Sequence, residues 1–177
     1  MRVIKSNLKD CIIFEPDIFD DSRGFFLETY QKEKFSNLGL KETFVQDNHS
    51  RSSKGVLRGL HFQKKNPQGK LVYVVRGEVF DVVVDLRRDS ETFGKWDSFK
   101  LNHKNRKLVW VPPGFAHGFQ VTSDEADFIY KCSNYYDPKD EEVILWNDKF
   151  LNINWPIENS IVSGKDSKGK KFKDIFL

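Results

Sequence analysis

The chain is poor in sulfur and has no long apolar run. Its 177 residues include two cysteines, Cys11 and Cys132, and a single methionine. The cysteines stand far apart with no Cys-x-x-Cys spacing, which argues against a disulfide-stapled scaffold or a cysteine zinc site and predicts a reducing, intracellular setting. No stretch approaches the roughly 18 apolar residues of a membrane span. The N-terminal MRVIKSNLKD lacks the apolar segment of a secretory leader. Neither sign of charge dominates, with 29 Lys and Arg against 26 Asp and Glu for a net charge of +3. That balance gives no case for nucleic acid or a membrane surface as partner. It leaves room for a phosphorylated small molecule, which needs only a few well-placed cations. The expectation is a cytoplasmic protein with one domain spanning residues 1–177.

What the chain does have is aromatic and strand-like. Phenylalanine alone supplies 16 residues, enough for a large core. Val72–Val75 and Val79–Leu86 flank Arg76-Gly77-Glu78 and read as a hairpin. In the second run Val79, Asp81, Val83 and Asp85 share one face, while Phe80, Val82, Val84 and Leu86 share the other. A face that mixes Val with Asp predicts a strand lining an interior that is not wholly dry. Leu108–Val111, Gly118–Val121 and Phe128–Ser133 are further short strands between turn residues. The pattern predicts an all-β, antiparallel sandwich or barrel with few short helices. A helix is expected over Tyr30–Leu38, closed by Gly39, and a single helical turn at Pro138–Val143. Ser163–Lys173, rich in Lys, Gly and Ser, reads as a frayed terminus.

The chain has four histidines. His61 lies in Arg58-Gly59-Leu60-His61-Phe62-Gln63, and His117 closes Pro112-Pro113-Gly114-Phe115-Ala116-His117. The spacing Pro-x-Gly-x-x-His resembles the second motif of the cupins, double-stranded β-helix barrels that often hold a metal. The first cupin motif normally supplies a His-x-His pair and a Glu. Here His61-Phe62-Gln63 stands in its place, and the next candidate is Gln68. Neutral amides are poor ligands for a catalytic transition metal beside imidazole and carboxylate. The barrel signature therefore survives without its metal set, which points to acid–base chemistry or plain binding in a cupin-shaped pocket.

Taken by residue type alone, most candidates have a bland reading. A lone His between strands is more often packed in a core than catalytic. Tyr130 fits a core aromatic, Lys70 a solvated edge-strand charge, and Arg23 beside Gly24 ordinary turn chemistry. His49 and His103 lie in polar surroundings and read as surface or structural residues. Asp81 is open between a partner for a pocket histidine and simple strand polarity.

Nine segments change that balance. In chain order they are Asp21–Glu28, Gln46–Ser50, Arg58–Gln63, Gln68–Val72, Gly77–Val82, Ile129–Lys131, Asn134–Tyr136, Trp155-Pro156 and Ser163–Asp166. Together they resemble the dTDP-4-dehydrorhamnose 3,5-epimerase family, from about residue 2 to residue 173. The resemblance implies a cupin-like barrel (a jelly roll), a homodimer, and metal-independent chemistry with no cofactor. The implied substrate is a nucleotide-diphosphate 4-keto-6-deoxy sugar. First choice is dTDP-4-dehydro-6-deoxy-D-glucose, inverted at C3 and C5 to dTDP-4-dehydro-L-rhamnose.

The same resemblance assigns roles. His61 is the base, Tyr130 the acid, Asp166 the carboxylate orienting His61, and Lys70 the cation at the C4 oxygen. Arg23 and Arg58 offer planar forks for diphosphate oxygens. Glu28, Gln46, Asp47 and Asn48 match positions that contact the nucleotide portion, and Phe26 and Tyr135 are candidates to stack on the base. His117, Glu141 and Lys165 match further ligand contacts. The chemistry suits these residue types. Protons beside a ketone become acidic only when the enolate is stabilised, and inversion needs a base and an acid on opposite faces.

Rival readings keep the pocket and change its use. One is the same chemistry on another activated sugar, such as a GDP-linked heptose, or inversion at one carbon. Others are a sugar-nucleotide-binding protein without turnover, an isomerase that shifts the ketone, and a metal-dependent cupin oxygenase, which Gln63 and Gln68 disfavour.

Overall fold

Short alternating strands fold into two facing sheets in a computed structural model that describes residues 1–177. The first half of the chain runs β1 (Arg2–Lys5), β2 (Ile12–Glu15), β3 (Phe19–Asp21), β4 (Gly24–Phe26), α1 (Lys32–Asn37), β5 (Gln46–Ser53), β6 (Val56–Gln63), β7 (Lys70–Arg76) and β8 (Glu78–Asp85). It continues with β9 (Trp96–Asn102), β10 (Leu108–Val111), β11 (Phe115–Val121), β12 (Glu125–Cys132), β13 (Glu141–Val143) and β14 (Ile161–Val162). A 3₁₀ turn (Asp166–Lys168) and α2 (Phe172–Phe176) follow. One sheet has the order β1-β2-β10-β7-β12-β5, and the other β13-β6-β11-β8-β9, with β14 added in parallel beside β6. β3 and β4 form a separate small hairpin. The result is the cupin-like, predominantly antiparallel barrel that the sequence implied.

The core lies where the inner faces meet. Val72 and Val74 of β7 and Phe128 of β12 pack against Val79 and Val83 of β8 and Phe119 of β11. Phe119 and Phe128 stack with ring centroids 4.2 Å apart, tying the two sheets together. Burying a side chain of this size contributes roughly 1.5–3 kcal/mol. The alternation expected in β8 is observed. Val82 and Val84 face outward into a second cluster with Leu60, Ile144 and Phe172, while Asp81 turns inward and is fully buried.

Three local expectations are corrected. The runs around Gly77 do not form a hairpin. β7 pairs with β10 and β12, whereas β8 pairs with β11 and β9, so the chain turns a corner between sheets. Gly77 has φ +73°, and a Cβ there would lie 1.8 Å from the Glu125 carbonyl oxygen. A Gly between two alternating runs is the local signature of both a hairpin and a corner. The inward valines of both strands decide for the corner, because each buries against the other sheet. Pro138–Val143 is also not a helical turn throughout, since Glu141–Val143 pairs with β6 as β13.

The tail is not frayed. Phe172 is fully buried among Phe93, Phe150 and Phe176, and its N–H donates to Asp148 Oδ2 at 2.9 Å. Backbone bonds join Lys170 to Val143 and Leu145. Composition over Ser163–Lys173 hid one aromatic anchor whose burial outweighs the polar residues around it. The first helix does form, but over the shorter span of α1. The Gln31 side chain accepts the Lys34 N–H at its start, and Gly39, at φ +105°, follows its end.

Candidate active site

At one end of the barrel the two sheets part around a cavity of about 330 Å³. Strand period dictates much of its lining. Gln46 and Asn48 alternate inward on β5, Lys70 projects inward ahead of Val72 and Val74 on β7, and Tyr130 follows Phe128 on β12. These side chains all come from one sheet. From the facing sheet come Arg58 and His61 on β6, His117 on β11 and Glu141 on β13.

Arg58 and His61 are three residues apart, a spacing that would put them on opposite faces of a regular strand. Their pairing with β11 explains why both reach the cavity. His61 opposes His117 and Arg58 opposes Phe119, so β6 carries an extra residue, a bulge that re-aims the strand. Gly59 makes this possible. Its φ is +117°, and a Cβ there would sit 2.7 Å from both Gly118 Cα and the His117 carbonyl oxygen.

Asp166 arrives from the tail. Its Oδ1 lies 2.7 Å from His61 Nε2, and its Oδ2 accepts the Gly59 N–H at 3.2 Å. Burial pushes the Asp166 carboxyl up, but the hydrogen bond and charge of His61 and the Gly59 N–H outweigh it, leaving the pKa below the ordinary value. Asp166 is therefore ionised near neutrality and accepts only, so Nε2 carries a hydrogen, and in the neutral imidazole it is Nδ1 that holds the lone pair. The nearest carboxylate to Nδ1 is that of Glu141, at 3.9 Å. His61 is 27% exposed, open enough to meet a ligand.

Lys70 has no carboxylate within ion-pair distance, and its ammonium lies 5.9 Å from the Tyr130 ring centroid. Burial pushes its pKa down, while Cys132 and Asp81 pull it back up. The Tyr130 phenol is pushed up by burial and by Cys132 against a smaller pull from Arg58, so it keeps its proton near neutral pH. Arg58 donates from Nε to Ser52 and forms no ion pair, leaving its terminal nitrogens free for an anion. His117 is buried, stacks on Phe128, and holds Asp81 Oδ2 at 2.8 Å. Glu141 accepts from the Tyr136 hydroxyl at 2.9 Å and forms an ion pair with Lys165 at the rim. The two amides at the expected metal-ligand positions are engaged elsewhere. Gln63 bonds the backbone of Asn66, Tyr135 and Asp137, and Gln68 donates to the Asn134 carbonyl.

A family model described as dTDP-4-dehydrorhamnose 3,5-epimerase matches residues 5–174. The chain belongs to the dTDP-4-dehydrorhamnose 3,5-epimerase family. Within that family, the epimerase of Shigella flexneri is 54% identical over 176 residues, which cover 98% of this chain and 97% of that one. The crystal structure of the epimerase from Elizabethkingia anophelis NUHP1 superposes with a TM-score of 0.95 at 50% identity, over 100% of this chain and 99% of that one. The Legionella pneumophila enzyme, solved in complex with dTDP-4-keto-L-rhamnose, also superposes at 0.95, with 48% identity over 97% of this chain and 93% of that one.

Not every predicted site residue of this epimerase-family chain reaches the cavity. Arg23 and Phe26 lie on the β3–β4 hairpin with Glu28 just beyond it, away from His61. Arg23 is forked onto Asp21, Glu28 pairs with Lys34, and Phe26 is 68% exposed. Asp47 alternates to the outer face of β5 and pairs with Lys131. Tyr135 is 72% exposed, and its neighbour Tyr136 lines the cavity in its place. Sequence reasoning missed Tyr136 because nothing in two adjacent tyrosines says which faces inward. The structure decides it by a bond from the Tyr136 N–H to Gln46 Oε1. Cys132, Ser50 and Phe119 are further lining residues not singled out before.

Proposed function

We propose that this protein epimerises dTDP-4-dehydro-6-deoxy-D-glucose at C3 and C5, giving dTDP-4-dehydro-L-rhamnose. One observation carries the mechanism: His61 and Tyr130 enter the same cavity from opposite sheets. A hexose ring lying between the sheets meets the base on one face and the acid on the other. His61 Nδ1 takes the proton from C5 or C3, and the electron pair moves into the C4 carbonyl to form an enolate. Lys70 stabilises the enolate oxygen, and Tyr130 returns a proton from the far face, so the centre inverts. Solvent then reprotonates the tyrosinate and takes the proton from His61. Both carbons flank C4, so one base, one cation and one acid serve both inversions. The reaction is redox-neutral and starts from a ketone already present in the substrate, so these residues suffice without a cofactor.

Asp166 fixes the His61 tautomer and stabilises the imidazolium, as a triad carboxylate does. Arg58 takes the diphosphate. Gln46, Asn48, His117, Glu141 and Lys165 supply the remaining polar contacts of the cavity. The protein works as a homodimer of single-domain subunits, because Arg23, Phe26 and Glu28 have no role in their own subunit's cavity. Phe19, Phe25 and Phe26 leave an apolar surface on that hairpin for a second copy to cover. The two free, buried thiols suit a reducing cytoplasm.

Incubation with dTDP- and GDP-linked 4-keto-6-deoxy sugars in deuterated water tests the substrate. Deuterium at C3 and C5 of the dTDP sugar is the expected result. Exchange confined to the GDP sugar overturns the assignment.

A further inference from the structure

Glu141 stands on β13 two residues from Val143, the partner of His61 on β6, so the two side chains are diagonal neighbours across one strand pair. Both line the cavity. The two oxygens of Glu141 have different surroundings. Oε2 takes both strong partners, the Tyr136 hydroxyl at 2.9 Å and the Lys165 ammonium. Oε1 has neither, and lies 3.9 Å from His61 Nδ1, the ring nitrogen that Asp166 does not engage. Lys165, half exposed, marks the solvent side of the carboxylate. One oxygen is thus anchored at the rim while the other faces the nitrogen that receives the substrate's proton. We infer that Glu141 is the proton exit of the site, carrying the proton that His61 has drawn from the sugar out to solvent.

This inference deepens the proposed function and rests on it. Two inversions by one base require His61 to lose its first proton before the second abstraction. A sugar that fills a cavity of about 330 Å³ covers the direct route from the imidazole to water. While Nδ1 holds a lone pair, it and Oε1 face each other as two acceptors. Once Nδ1 takes a proton it becomes a donor, and an approach of about 1 Å brings Oε1 into hydrogen-bond range. The Nδ1–H bond then breaks as the Oε1–H bond forms. The carboxyl passes the proton to water at the rim and returns to its ion pair with Lys165, with nothing oxidised or reduced. A carboxylate is a weaker base than imidazole, so it hands the proton on and does not store it. Asp166 cannot serve instead. It is buried, and it faces Nε2, which carries a hydrogen whether or not the ring is charged.

Glu141→Gln keeps the size of the side chain and removes the proton acceptor. The variant and wild type are followed with dTDP-4-dehydro-6-deoxy-D-glucose in deuterated water under single-turnover conditions. The first inversion should keep its rate within about threefold, since it begins with an unprotonated His61. The second should slow by at least about tenfold, so that sugar inverted and deuterated at one carbon accumulates. A purely structural role would move both steps together. Glu141→Ala is the independent variant, and carries the test if Glu141→Gln does not fold. Added formate, a mobile carboxylate, should restore its second step and leave the first unchanged. An unchanged ratio of the two rates, equal loss of both, or no rescue by formate overturns the exit role. Absence of deuterium uptake by wild type is a different result, and it overturns the epimerase reading itself.

Discussion

Asp166 Oδ1 and His61 Nε2 meet at 2.7 Å across 105 residues of sequence. The contact requires the tail to fold back over the barrel, and Phe172 anchors it there. Replacing Asp166 with Ala removes the acceptor that fixes the His61 tautomer and the charge that stabilises the imidazolium. A fall in kcat of roughly 10²–10⁴-fold is expected, with dTDP affinity held within a few-fold. Steady-state kinetics and calorimetric titration with dTDP check both parts.

Tyr130 and His61 act on opposite faces, so their losses should differ. Tyr130→Phe keeps the base and the enolate cation but removes the far-face proton. Deuterium should still enter recovered substrate through His61, while net inversion falls at least about tenfold further than exchange. Mass and NMR analysis of the sugar separates the two rates. Equal, wild-type rates for both would assign the acid to another group.

Arg23 lies outside its own subunit's cavity, which makes its function testable in mixed dimers. Arg23→Ala and His61→Ala homodimers are each expected to be weak or inactive. When they are mixed and allowed to exchange subunits of the proposed homodimer, each hybrid is expected to regain one intact site if Arg23 completes the cavity of the neighbouring subunit. Recovered activity near a quarter of wild type is the expected outcome, on the order of the statistical share of intact sites. No recovery would exclude Arg23 from the neighbouring subunit's site, and full activity of the Arg23→Ala homodimer would place it outside the reaction.

Asp127 sits on the outer face of β12, where hydrogen bonds from Arg51, and from His49, hold its carboxyl at about 2, below its ordinary 3.8. The folded-state value is the lower one. Its stabilisation is therefore complete above the ordinary value and lost as pH falls through about 2. Asp127→Asn should lower Tm near neutral pH, and the gap to wild type should close toward about pH 2. Thermal melts across that range check it. A gap that stays constant would mean the pair contributes nothing through ionisation.

Sequence patterning exposed the inner and outer faces of β8, the strand-rich barrel and the histidine motifs, because these depend on period and on local spacing. The base, acid and cation were legible only through ordered resemblance, since His61, Tyr130 and Lys70 each have a bland reading alone. What stayed hidden was set by distant partners. Gly77 reads identically in a hairpin and in a corner until both strands' valines find a common core. Asp166 lay in a segment whose composition suggested fraying, and its place depends on Phe172 packing against Phe93 and Phe150. Arg58 and His61 share a face only because β6 carries a bulge against β11, which no count along β6 alone reveals.

The central claim is that His61 draws protons from the two carbons flanking the C4 ketone. Proton NMR of dTDP-4-dehydro-6-deoxy-D-glucose in deuterated water tests it most directly, with wild type beside His61→Ala. The account predicts deuterium at C3 and C5 with wild type, none with His61→Ala, and the same dTDP affinity for both. Exchange at wild-type rate in His61→Ala would contradict it.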